Sequence, residues 1–350
     1  MTMGFIWFCV VAVMIVAYVI FDGFDVGVGI LSPLLARSEQ DRQIMLRSIG
    51  PVWDGNEVWL IAGGGTLYFA FPLLYASAFS GFYLALMIVI WLLIMRGLGI
   101  ELRMHLEIGV WRAFFDGLFF VASLLLAIFY GAALANVMRG VPLGADGYFF
   151  LPLWTDWRVG PHPGILDWYT VTGGVLALIA LALHGALYLA IKTERELQAR
   201  ARAMAKSLST ALLALTIVSV PATTIARPDA LGNYTAYPVL FLIPAIVFVA
   251  LIGILYFCHT EDDGKAFAGS CVYLAFMLTG AAVALYPRLL PSSDDPSRDI
   301  TIGKALSGPH ALRVGLAWWA VGMCFAVMYF VIVYSLFKGK VSLEGGGYGH

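Results

Sequence analysis

The sequence predicts an all-α, polytopic transmembrane helix bundle of about nine helices, with the N-terminus outside and the C-terminus cytoplasmic. Three observations carry that expectation. Of 350 residues, 61% are hydrophobic and only 12% are charged, at a mean hydropathy of +0.87, so too little polar surface exists to cover a water-soluble core. Apolar windows of about 20 residues, the length that crosses a hydrocarbon layer of roughly 30 Å, recur between charges, Pro and Gly. Lys and Arg are divided unevenly between the two sets of connections that these windows define.

The windows run approximately 5–31, 52–71, 74–95, 115–138, 166–191, 208–226, 238–258, 267–287 and 314–337. No soluble domain fits between them, so residues 1–350 read as a single integral membrane domain. With the N-terminus outside, the connections at 32–51, 96–114, 192–207 and 259–266 and the C-terminal tail carry 14 of the 21 Lys and Arg, and the opposite side carries 7. Four of those 7 lie in or beside the long 288–313 connection, where basic residues weigh less on topology. Met1 to Ile20 is uncharged and runs on into more helix, unlike a secretory leader, so the first segment is expected to be retained.

The connections divide by composition. The 139–165 loop is rich in Gly, Pro and Trp, including Trp154 and Trp157, and the 288–313 loop contains Pro-Ser-Ser-Asp-Asp-Pro; both are expected to be ordered external caps. Glu194 to Lys206 alternates acid, base and Ala, as a solvated cytoplasmic helix extension does. A net charge of −1 shows no basic excess, which disfavours a nucleic-acid partner. Cys9, Cys258, Cys271 and Cys324 lie in apolar stretches without paired spacing and read as packing residues, with neither a disulfide framework nor a metal site.

Charge at membrane depth is the functional signal, because an ionisable group there is costly unless paired, neutralised or hydrated. In Phe21-Asp22-Gly23-Phe24-Asp25-Val26-Gly27, two carboxylates three apart share a helical face, and Gly23 and Gly27 have the spacing that lets another helix approach closely. The second window opens at Pro51 and carries Trp53-Asp54-Gly55-Asn56-Glu57-Val58-Trp59, with Asp54 and Glu57 again on one face. Consecutive spans run antiparallel, so Asp25 and Asp54 are expected at similar depth near the cytoplasmic side, where they form a half-channel for protons with Asp22 and Glu57 beside them. The alternative for Asp22 and Glu57 is capping or pairing with Arg37, Arg42, Arg47 or Arg96.

Other polar groups have plainer readings. Arg96, Glu101, Arg103, Arg112 and Asp116 surround one connection and read as ion pairs or as contacts with a partner subunit. His184 alone lies deep in an apolar window, where it is a hydrogen-bonded packing residue or an axial haem ligand. His105, His162, His259, His310 and His350 fall in loops or at ends, so no histidine ladder that clamps haem is present. Gly63-Gly64-Gly65 reads as a close helix contact, or else as a narrow apolar passage beside Trp59.

Phe-Asp-Gly-Phe-Asp-Val-Gly-Val-Gly at 21–29, Gly-Pro-Val-Trp-Asp-Gly-Asn-Glu-Val-Trp-Leu at 50–60 and Tyr-Pro-Arg-Leu-Leu-Pro-Ser-Ser at 286–293 resemble subunit II of cytochrome bd-type quinol oxidases. Ala-Phe-Ser-Gly-Phe-Tyr at 78–83 and the Arg96, Glu101, Arg103 pattern extend the resemblance along the chain. It implies a haem-free structural subunit in the bacterial inner membrane, packed against a haem-bearing subunit I that holds haems b and d, oxidises quinol and reduces oxygen to water, with room for small accessory subunits. It also implies that Asp25 and Asp54 match proton-path acids and that Trp59 matches an aromatic on an oxygen route. Two rival classes are a proton-coupled secondary transporter, which also uses intramembrane carboxylates and Gly-rich helices, and a haem-bearing electron-transfer subunit ligated through His184.

Overall fold

The computed structural model describes residues 2–341. Among them the α-helices are, in chain order, α1 (Met3–Leu35), α2 (Glu39–Ile49), α3 (Trp53–Ala70), α4 (Pro72–Gly81), α5 (Tyr83–Glu101), α6 (Gly109–Arg139), α7 (Trp168–Lys192), α8 (Arg195–Ala226), α9 (Gly232–Ala236), α10 (Leu242–Thr260), α11 (Asp263–Leu285), α12 (Ile302–Ala305) and α13 (Pro309–Leu336). Eight segments, built on α1, α5, α6, α7, α8, α10, α11 and α13, are long and apolar enough to cross a membrane. The expected ninth is α3, which packs along α1 but opens on Asp54, Asn56 and Glu57 and so falls short of the others in hydropathy.

One further window and one connection differ from expectation. Residues 74–95 are not one span: Phe82 interrupts the helix, leaving α4 as a short separate piece and starting the span at Tyr83. The 32–51 connection folds as α2, because Ser38 and Asp41 close a reciprocal capping box at its start.

Helix α1 is the axis of the bundle and packs against α3, α6, α7 and α11. At 33 residues it is about 50 Å long, more than the hydrocarbon layer requires. Every residue from Asp22 to Leu31 is buried. The close approach foreseen at Gly27 is made with Gly185 of α7: a Cβ on Gly27 would lie 2.1 Å from the Leu181 carbonyl oxygen and 2.7 Å from Gly185 Cα. The Gly63-Gly64-Gly65 run behaves differently. A Cβ on Gly63 would meet Met14 at an ordinary 3.7 Å, and one on Gly64 or Gly65 would meet nothing within 4 Å, so the run makes no close helix contact within this chain.

The two long loops form an ordered layer over the end of the bundle where α1 begins. Val141 N–H donates to Pro291 O at 3.0 Å, and Ser293 N–H donates to Val141 O at 2.9 Å, which stitches one loop to the other. Arg139 pairs with Asp167, the N-cap of α7, and also donates to the Gly164 carbonyl. The 288–313 loop contains a small antiparallel ribbon, β1 (Arg288–Leu290) with β2 (Ile300–Thr301), the one named pair of strands among the described residues. At the opposite end, Glu194 to Lys206 continues directly into α8 and is not merely solvated. Leu197, Ala201 and Ala205 are buried, while Arg200 pairs with Asp41 at 2.7 Å and Arg202 with Asp263 at 2.8 Å.

Candidate functional site

The site lies where α1, α3, α5 and α13 converge. Asp22 and Asp25, one turn apart on α1, are both buried, at 1% and 0% exposure. Arg96 of α5 is equally sealed; its Nη1 lies 2.7 Å from Asp22 Oδ1, off the line of a good hydrogen bond, and its Nη2 donates to Glu57 Oε2 at 3.1 Å. Of the alternatives for Asp22 and Glu57, pairing with Arg96 is the one the structure contains.

Asp25 has a different partner. Asn56 Nδ2 donates to Asp25 Oδ2 at 2.8 Å, and the Tyr334 hydroxyl of α13 donates to Asn56 Oδ1 at 2.9 Å. Asp25 Oδ1 has no hydrogen-bond partner among the described residues. Asp54 is exposed on α3, two residues before the buried Asn56, and makes no hydrogen bond or ion pair among the described residues. The α3 side chain against Asp25 is therefore an amide from the same motif, not the expected carboxylate. Reading the motif for acids alone passes over Asn56, and only the rotation of α3 reveals it.

The cluster holds three carboxyls, Asp22, Asp25 and Glu57, against one guanidinium. An unmatched carboxyl away from water is expensive when ionised, so such a cluster is suited to taking up and releasing a proton. One turn along α1 from Asp22, the hydroxyls of Tyr18 and Tyr130 meet at 2.6 Å and extend the polar groups deeper along the helix. Trp59 is buried beside this region, stacked on Phe21 at 5.8 Å and tilted against Phe330 at 5.4 Å.

A second ionic cluster lies at the α2 end. Buried Arg103 donates through Nη1 and Nη2 to Glu39 at 3.1 and 3.0 Å, and through Nε to Asp116 at 2.5 Å. Arg112 pairs with Glu39 at 3.3 Å, and Glu101 accepts from the Trp53 indole at 3.2 Å. Burial raises the proton affinity of Glu39, but the Arg103 hydrogen bonds and charge outweigh it and hold the carboxyl below its ordinary value.

His184 does not fit an axial ligand. Its Nε2 lies 3.0 Å from the Ile20 carbonyl, which can only accept, so Nε2 carries the proton and Nδ1 faces the Ser270 hydroxyl at 2.7 Å. The ring stacks on Phe267 at 4.8 Å, and neither nitrogen is left for iron. Among the described residues no group of three His, Cys, Asp or Glu is disposed to hold a metal ion; His350 lies outside the described residues. The four cysteines are free thiols. A cleft of about 660 Å³, lined by Trp7, Gly65, Phe69, His310 and Trp318, opens near the start of α1 and does not include the acids.

An apolar multi-helix bundle with a buried acid-rich cluster defines a polytopic membrane protein. The model of the cytochrome bd terminal oxidase subunit II family matches residues 3–337, and the chain belongs to that family. It is 31% identical to "Cytochrome bd-I ubiquinol oxidase subunit 2" of Escherichia coli K12, over 97% of this chain and 95% of that one. It is 30% identical to "Cytochrome bd ubiquinol oxidase subunit 2" of Bacillus subtilis, over 96% of each. In fold it matches the structure of bd oxidase from Geobacillus thermodenitrificans with a TM-score of 0.75 at 17% identity, covering 96% of this chain and 99% of that one. The chain is thus a multi-pass inner-membrane subunit of a bacterial respiratory terminal oxidase, an oxidoreductase complex that carries haem and includes a subunit I.

Proposed function

We propose that this chain is the haem-free scaffold subunit of a quinol-oxidising terminal oxidase and supplies its cytoplasmic proton path through Asp25, with Asp54, Asp22 and Glu57 contributing. The observation that carries this reading is the state of Asp25. Its carboxyl is fully buried, is held through Oδ2 alone, and keeps Oδ1 without a hydrogen-bond partner beside an excess of acids over bases. Exposed Asp54, in the first turn of α3, is the entry group, and the cluster around Arg96 is the interior.

In this reading haems b and d sit in subunit I, where quinol is oxidised and oxygen is reduced to water, with or without small accessory subunits. This chain braces that partner as a single membrane domain. The α2 end faces the cytoplasm, as the excess of Lys and Arg in the connections there supports. The apolar aromatic group of Trp59, Phe21 and Phe330 is the oxygen route, and quinol is a substrate of the whole complex.

The test is Asp54→Asn alongside Asp25→Asn in the purified complex, with haem absorbance verifying assembly. Both variants assemble and slow oxygen consumption, because an amide keeps the shape but exchanges no proton. Wild-type turnover in a fully assembled variant rejects the relay through that residue.

A further inference from the structure

Asn56 is fully buried, and its amide has a hydrogen-bond partner on each side. Its Nδ2 faces an acidic oxygen, Asp25 Oδ2 at 2.8 Å, and its Oδ1 accepts the Tyr334 hydroxyl at 2.9 Å. With Asp25 ionised, turning the amide over would set its carbonyl against the carboxylate and lose that bond. We propose that Asn56 and Tyr334 are positioning residues that hold Asp25 in the orientation from which it exchanges its proton. This inference rests on the proton-path reading of Asp25.

The geometry supports a positioning role for two reasons. Asp25 has a single side-chain hydrogen bond, so without Asn56 its carboxyl would be free to rotate and its Oδ1 would lose a defined direction. Tyr334 is set in turn by rings, lying 5.7 Å from Phe21 and 6.0 Å from Phe330 between ring centroids. It is also the hydroxyl through which α13, a helix with Leu312 as its one fully buried residue, reaches the acid cluster. The chain of contacts thus runs from aromatic packing, to a phenol, to an amide, to the acid. The ionisable groups that face Asp25 are Asp22 on its own helix, Glu57 on α3, Arg96 on α5, Tyr188 on α7 and Tyr334 on α13, and the substitutions below leave the first four in place.

The test uses the assembled, haem-loaded complex carrying Tyr334→Phe, which keeps the ring, or Asn56→Leu, which keeps the branched shape without the polar atoms. Turnover with a short-chain quinol falls about threefold in the first and about tenfold in the second, in line with the loss of a neutral and of a charge-assisted hydrogen bond. The quinol KM stays constant, and the pH profile of turnover is displaced. Added to Asp25→Asn, neither substitution lowers turnover further. The infrared band of the Asp25 carboxyl, identified by its loss in Asp25→Asn, moves in both single variants. Wild-type turnover with an unmoved band overturns the inference. If Asp25→Asn itself turns over like the wild type, the proton-path reading fails, and the band alone decides whether Asn56 holds the carboxyl. If Asn56→Leu does not assemble, Tyr334→Phe carries the same comparison.

Discussion

Arg96 of α5 lies 2.7 Å from Asp22 of α1, and neither side chain is more than 1% exposed. The same guanidinium reaches Glu57 of α3 at 3.1 Å, so one cation ties together three helices. Removing it leaves two acids without their cation. Arg96→Met is expected to destabilise the chain by about 3–5 kcal/mol, read as a lower Tm and a reduced yield of haem-containing complex. Arg96→Met with Asp22→Asn should recover part of that loss. An unchanged Tm in the single variant would show that the ion pair does not hold the helices.

Gly27 and Gly64 offer a matched comparison within one chain. Gly27→Val must push α1 away from the α7 backbone, which stands 2.1 Å from the first added carbon, and should abolish assembly. Gly64→Ala meets nothing within 4 Å and should be tolerated, with a gain of up to about 1 kcal/mol in helix propensity. Complex yield and thermal stability measure both. A damaging Gly64→Ala would mean that a partner chain occupies that surface.

His184→Leu should leave the haem absorbance per complex unchanged while lowering stability by about 1–3 kcal/mol, since it removes the bonds to Ser270 and the Ile20 carbonyl. Pyridine haemochrome quantification against protein is the decisive measurement. Loss of a haem from an otherwise intact complex would assign the histidine to iron.

Glu39 makes the α2 end sensitive to acid. Its carboxyl is held below the ordinary value, so its pairing with Arg103 and Arg112 contributes stability in full above the unfolded-state value near 4.5. That contribution is lost as pH falls through the lower folded-state value. Thermal melts of the complex should therefore fall toward acid pH, and Glu39→Gln should flatten the fall. Parallel curves for the two proteins would remove Glu39 as the cause.

Much of the architecture was legible because it follows from local composition. Apolar windows located each of the eight long spans, although Phe82 moved the start of one to Tyr83. The spacing of Asp22 and Asp25 placed both on a helical face, and the GxxxG signal correctly marked Gly27 as a point of close approach. Three features were missed for physical reasons. Helix α2 has a short polar sequence whose helicity depends on its Ser38 cap. The ribbon of β1 and β2 pairs three residues with two inside one loop, too short to leave an alternating pattern in the sequence. The openness around Gly64 and Gly65 reflects what does not pack there within this chain.

Read alone, the sequence indicated a membrane protein, its long apolar helices, its family resemblance and acids set within those helices. Those properties belong to hydropathy and to spacing along one helix. Tertiary structure alone decided which groups meet: Arg96 with Asp22 and Glu57, Asn56 and not Asp54 with Asp25, and His184 with Ser270. Spacing orders residues around their own helix, whereas pairing between helices depends on how each is rotated and shifted against its neighbours. That relation is set by packing contacts from the whole bundle.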